Sequence, residues 1–114
     1  MKFLSGKNNW EGHCVAKLDD GYLLGGAVEG ITPPEGGSGW KSYVTRLDGS
    51  LNVLWEWKIR IRGNEAVYSI LPAEGSIFIA SETGKPENKG FFIGKLSMDG
   101  ELLWLRDFGN WEKQ

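Results

Sequence analysis

With 114 residues, 25% of them charged and 40% hydrophobic, the chain has the size and composition of one small globular domain or two supersecondary units. A net charge of −2 gives no electrostatic case for nucleic-acid binding, which needs a basic stripe, and a single Cys excludes both an internal disulfide and a Cys-rich metal site. No run approaches the about 18 apolar residues of a membrane helix, and Met1-Lys2-Phe3-Leu4-Ser5-Gly6 lacks the apolar core of a signal peptide. The expectation is a cytoplasmic chain with no membrane and no nucleic-acid partner.

Seventeen Gly against four Pro, together with six Trp, point to many short strands joined by tight turns. No window keeps apolar residues at i, i+3, i+4 and i+7 between capping signals, so helix is absent from the pattern. The chain reads as all-β.

In chain order, Met1 to Gly6 reads as the tail of a strand. Phe3-Leu4-Ser5-Gly6 stands where Ile59-Arg60-Ile61-Arg62-Gly63 and Asp107-Phe108-Gly109 stand later. Similar phrases follow each: Asn9-Trp10-Glu11, Asn64-Glu65 and Asn110-Trp111-Glu112. The chain is therefore expected to begin at the end of one unit and to stop at the start of another. In the first unit, Gly12 to Leu18 alternates imperfectly, Asp19-Asp20-Gly21 makes a turn, and Tyr22 to Val28 forms a second strand. A loop from Glu29 to Trp40 holds Pro33-Pro34 and Gly36-Gly37-Ser38-Gly39. Lys41 to Leu47 is a third strand, Asp48-Gly49-Ser50 a turn, and Asn52 to Arg62 a fourth strand. Lys58, Arg60 and Arg62 alternate with Ile59 and Ile61, as the solvated face of a strand does. The second unit repeats the order: Ala66 to Leu71, Ser76 to Ser81, Phe91 to Met98, and Glu101 through Trp104.

Subtraction gives a register for the repeat. Glu11 to Glu65 and Gly21 to Gly75 are both 54 residues, whereas Leu47 to Leu96 and Trp55 to Trp104 are both 49, placing a five-residue difference in the loop between the second and third strands. Gly63 to Gly109 is 46, which makes the last strand three residues shorter in the second unit. Four strands and then a repeat suggest two four-stranded antiparallel meanders of the β-propeller blade type. The expected boundaries are 1–9 for the end of a preceding outer strand, 10–63 for the first blade, 64–109 for the second, and 110–114 for the start of a following inner strand. The alternative is an eight-stranded barrel, in which Trp55 and Trp104 would share one core.

Asp20-Gly21-Tyr22-Leu23-Leu24-Gly25-Gly26 and Tyr43-Val44-Thr45-Arg46-Leu47-Asp48-Gly49-Ser50-Leu51-Asn52-Val53-Leu54-Trp55 resemble the repeat of a large group of prokaryotic β-propellers. The second unit joins the resemblance through Glu65 to Ile70, Ile77-Phe78-Ile79-Ala80-Ser81, and Lys95 to Trp104. A looser similarity runs to the quinoprotein-type propellers, where a Trp at this place docks one blade on the next. That likeness implies such a docking role for Trp55 and Trp104. The Thr-Gly pair before the Trp is missing, as is a recognisable set of quinone or calcium ligands. The resemblance thus implies a fold, and no activity or cofactor with it.

Because propellers usually carry about four to eight blades, two blades imply further ones. Three or four copies of this chain would close a ring of six or eight, with head-to-tail contacts; otherwise the missing blades lie in a longer chain. A binding face is expected where the connection into each first strand meets the loop between the second and third strands. It would carry Trp10, Glu11, His13, the loop from Thr32 to Trp40, Glu65, the loop from Lys85 to Lys89, and Trp111-Glu112. Trp10, Trp40 and Trp111 would be stacking surfaces for a carbohydrate or protein ligand, with Glu11 or Glu65 as acceptors. Against this stands a packing role, with Trp10 and Trp111 wedged between blades and the glutamates accepting backbone N–H groups at the blade corner. Paired carboxylates are also the groups of glycoside hydrolysis, which keeps an acidic enzyme site at the channel mouth as the alternative. One His beside Glu11 does not make a metal site, Gly36-Gly37-Ser38-Gly39 opens no helix, and Cys14 reads as a small buried hydrophobe. The expectation is a non-enzymatic binding or interaction module, with no catalytic residues, metal or cofactor.

Overall fold

The computed structural model describes residues 10–30, 39–59, 65–83 and 90–110. Met1 to Gly6, the loops 31–38 and 84–89, Arg60, Arg62 and Trp111-Glu112, all named above, lie outside the described residues. The described chain is all-β. Strands β1 (Trp10–Leu18), β2 (Gly21–Gly30), β3 (Gly39–Asp48) and β4 (Val53–Ile59) form one sheet, and β5 (Ala66–Ala73), β6 (Ser76–Thr83), β7 (Gly90–Ser97) and β8 (Leu102–Asn110) form the other. Each sheet is an antiparallel meander in sequence order, β1-β2-β3-β4 and β5-β6-β7-β8. The Gly-rich loop proves shorter than its composition indicates, because β2 continues to Gly30 and β3 resumes at Gly39.

Alternation sets the faces. Cys14, Ala16 and Leu18 on β1, Leu23 on β2, Val44 on β3, and Trp55, Trp57 and Ile59 on β4 share one side of the first sheet. That side packs on Val67, Ile70, Ile77, Ile79, Phe92, Leu96 and Leu105 of the second sheet, and the core lies between them. Burying these side chains is the main stabilising term, at roughly 1.5–3 kcal/mol for each large one fully buried. A buried polar pair crosses the same interface. Ser42 Oγ lies 2.6 Å from Ser81 Oγ, and Ser81 in turn donates to the Ala66 carbonyl at 2.8 Å.

The two sheets follow the same strand plan, but not in the register that subtraction gives. The bulge residue of the first hairpin is His13 and that of the second is Tyr68, fifty-five residues on. The two-residue turns agree, with Asp19-Asp20 matched by Glu74-Gly75. Aligning Gly21 with Gly75 is therefore one residue out, because the two glycines are needed for different reasons. Gly21 opens β2, where a β-carbon would collide with the Leu47 carbonyl oxygen. Gly75 is a turn residue at φ 76, following Glu74 at φ 54, the left-handed pair of a type I′ turn, which the Asp19-Asp20 turn of the same length does not use. In the second hairpin the spacing of forty-nine holds: Arg46 faces Trp55 across the pairing as Lys95 faces Trp104. The loop between second and third strands thus absorbs a six-residue difference, not five.

Corresponding faces do not meet. Arg46 and Trp55 point into the interface, and their counterparts Lys95 and Trp104 point away from it, beside Phe78 on the outer face of the second sheet. The sheets stack front to back. This also removes the barrel alternative, because Trp55 belongs to the core while Trp104, 45% exposed, lies on the far side of the second sheet.

Candidate functional site

Among the described residues, two places gather chemistry-bearing side chains, one at each end of the strands. The first is the end where β1 begins, the expected binding face. The bulge at His13 turns its ring outward to meet Tyr68 at the matching bulge of β5, with ring centroids 4.6 Å apart. His13 Nε2 lies 3.2 Å from Glu11 Oε1. The Glu-x-His spacing thus brings Glu11 and His13 together, and the fold adds Tyr68, which no feature of the sequence singles out. The cluster is exposed. It is a hydrogen-bonding surface, and among the described residues no group of three His, Cys or carboxylate side chains is placed to hold a metal ion.

Trp10 sits against Tyr43 edge to face at 4.6 Å. Both lie on the side of the first sheet turned away from the second, so Trp10 does not wedge between these two sheets. Tyr43 donates to Glu56 Oε2 at 2.6 Å, and burial together with that carboxylate pushes its phenol well above the ordinary tyrosine range. A recess lined by Trp10, Glu11, Gly12, Leu24, Gly25 and Tyr43 has a volume of about 30 Å³, room for water but not for a sugar ring. Trp40 enters β3 opposite Glu29, and its carbonyl accepts the Glu65 N–H at 2.8 Å, joining the two sheets. Glu65 is 1% exposed, so its carboxyl is not presented to a ligand arriving from solvent. In the corrected register Glu65 corresponds to Trp10, and Glu11 to Ala66. The two glutamates are not repeat equivalents. Trp111, the remaining predicted residue, lies outside the described residues.

The second place is the turn end, and there the two sheets lock. Trp55 Nε1 donates to the Met98 carbonyl at 2.8 Å, and Arg46 Nη1 donates to the same oxygen at 2.8 Å. Arg46 also pairs with Asp20, its Nη2 3.2 Å from both carboxylate oxygens. An open groove of about 360 Å³ lies beside this lock, lined by Leu18, Asp19, Asp20, Arg46 and Met98. Its volume suits a small ligand, but its one cation is already engaged by Asp20 and Met98.

Trp55 contacts the neighbouring sheet at the turn after β7. Its ring lies so close to Gly100, at φ 88, that a β-carbon on that residue would stand 2.6 Å from Trp55 Cδ2. Sequence reasoning named the Trp but missed its receiver, the turn from Ser97 to Glu101. The signal was Gly100 itself, a glycine in the turn between the third and fourth strands of the second sheet. No protein-family model, curated protein or solved structure matches the chain.

Proposed function

We propose that the chain is a non-enzymatic interaction module of β-propeller type, its two sheets being successive blades in a stack that further sheets continue toward a ring. The carrying observation is the front-to-back order: the outer face of the second sheet repeats the residue pattern with which the first sheet docks. Trp104 stands for Trp55, Lys95 for Arg46, Ile93 for Val44 and Phe78 for Leu23. An open face with Leu71, Phe78, Ile93 and Trp104 is an apolar surface of the kind that marks an interface. The sheets that cover it come from copies of this chain or from other repeats. The alternative of glycoside chemistry needs two carboxyls flanking one bond. An exposed Glu11 and a buried Glu65 do not suit it.

The experiment is site-specific photo-crosslinking in cells, with a benzophenone amino acid in place of Lys95 and a control in place of exposed Glu74. Under this reading the Lys95 position captures the turn between the third and fourth strands of another sheet of this repeat, identified by the cross-linked peptide. Crosslinks no more frequent than at Glu74, or confined to peptides of unrelated structure, would overturn it.

A further inference from the structure

Strand β4 (Val53–Ile59) is an edge of the first sheet, paired with β3 on one side and, among the described residues, with no strand on the other. Its side chains divide by alternation. Trp55, Trp57 and Ile59 turn to the core, while Glu56 and Lys58 stand exposed on the outer face. The backbone divides in the same way. Asp48 N–H crosses to the Asn52 carbonyl at 2.9 Å, so Arg46, Val44 and Ser42, at two-residue steps along β3, turn their hydrogen-bonding groups toward Trp55, Trp57 and Ile59. Glu56 and Lys58 therefore turn their N–H and C=O groups outward along the free edge.

A free edge is a template for another strand, and a lysine on it normally blunts that hazard by repelling its own kind. Here a glutamate two residues away changes the outcome. Two copies of β4 laid antiparallel about a two-fold axis at Trp57 place Glu56 of each opposite Lys58 of the other, on both sides of the axis, with the outward backbone groups of the same residues in hydrogen-bonding position. Trp57 then faces Trp57, and Trp55 faces Ile59. Moving the axis by one residue sets Glu56 against Glu56 or Lys58 against Lys58, so one register satisfies the charges. Both side chains are available for it. Tyr43 occupies only Oε2 of Glu56, and no ion pair engages Lys58 among the described residues.

The corresponding edge of the second sheet lacks this property. Strand β8 has Arg106 where β4 has Trp57 and Asp107 where β4 has Lys58, so its two charges lie on opposite faces and no antiparallel self-pairing sets one against the other.

We propose that β4 is a self-association edge, through which two copies of the chain join their first sheets into one continuous sheet with the axis at Trp57. A second copy is the partner because the order of charges along the strand complements itself under a two-fold rotation. This edge is separate from the face that carries Trp104 and leaves that face open, so the pairing holds whether or not further sheets stack there.

Light scattering over a concentration series, on the whole chain and on charge variants of it, is the test. The wild-type chain passes from 12.7 kDa to twice that mass as concentration rises. Glu56→Lys and Lys58→Glu each set like charges together on both sides of the axis and weaken the association about tenfold or more. Mixed, the two variants form a one-to-one complex, because one edge then carries two lysines and the other two glutamates. The double variant Glu56→Lys/Lys58→Glu associates with itself again, and Lys58→Arg behaves as wild type. If urea unfolding shows that Glu56→Lys loses the fold with its Tyr43 contact, the contrast between Lys58→Glu and Lys58→Arg still reads the charge pairing. A chain that stays at 12.7 kDa throughout, or an association that the reversals leave unchanged, would overturn the proposal. Association that Trp104→Ala removes and the reversals do not would overturn it as well, and would assign self-association to the stacking face instead.

Discussion

Trp55 and Gly100 touch across the two sheets with no room for a side chain between them, and the indole N–H reaches the carbonyl of Met98, two residues before that glycine. One residue thus carries both the apolar and the polar part of the lock. The glycine is fixed twice, by its left-handed φ and by the ring above it.

Gly100→Ala should therefore cost more than an ordinary turn glycine. Left-handed strain and overpacking together come to about 2–4 kcal/mol. Gly75→Ala, at φ 76 with open space around the added carbon, carries the strain alone, about 1 kcal/mol. Urea unfolding of the two variants checks the difference.

Trp55 and Trp104, at corresponding places in the two sheets, should separate in the same assay. Trp55→Ala removes core packing and a hydrogen bond and is expected to cost about 3 kcal/mol. Trp104→Ala, on the open face, should stay within about 0.5 kcal/mol in the isolated chain. Equal losses would mean that both rings are buried alike.

Ser81 is hydrogen-bonded twice and Ser42 once in the buried seam between the sheets. Ser81→Ala leaves the Ser42 hydroxyl and the Ala66 carbonyl without this partner, at about 2–3 kcal/mol, while Ser42→Ala should cost about 1 kcal/mol. A double-mutant cycle is expected to show non-additivity, because the two changes share one bond.

Asp48 and Ser97 cap equivalent turns with different chemistry, and pH distinguishes them. The Asn52 N–H and side-chain amide, and then the Ser50 N–H, hold the Asp48 carboxyl below the ordinary aspartate value. A folded-state pKa lowered in this way contributes stability above the unfolded value, near pH 4, and that contribution is lost as pH falls below it. Asp48→Ser should keep the turn, as Ser97 does, and remove this part of the acid sensitivity. Urea midpoints at neutral pH and at about pH 3, for wild type and variant, are the measurement.

Much of the fold was legible because its signals are local. Alternation along Val15 to Leu18 and Tyr43 to Leu47, and turn residues such as Asp48-Gly49-Ser50, mark strands and hairpins without reference to the rest of the molecule. The shared strand order of the two halves was legible too, but their register was not, since Gly21 and Gly75 are the same residue under different constraints: one is crowded by a neighbouring strand, the other turns the chain. A letter-by-letter match treats them as equivalent. The candidate site divided in the same way. Glu11 and His13 are close in sequence and close in space, whereas Tyr68 joins them only through the stacking of two sheets, and the burial of Glu65 has no local signature.

By itself, then, the sequence determined the all-β class, the eight strands and the pairing of neighbours within each meander, all of which follow from side-chain period and turn chemistry. Tertiary structure alone decided which face of one sheet meets which face of the other. Alternation gives every sheet two faces and does not say how they are ordered. That choice was made by shape at long range, where the indole of Trp55 fits over a turn that has glycine at position 100 and leaves no room for a side chain there.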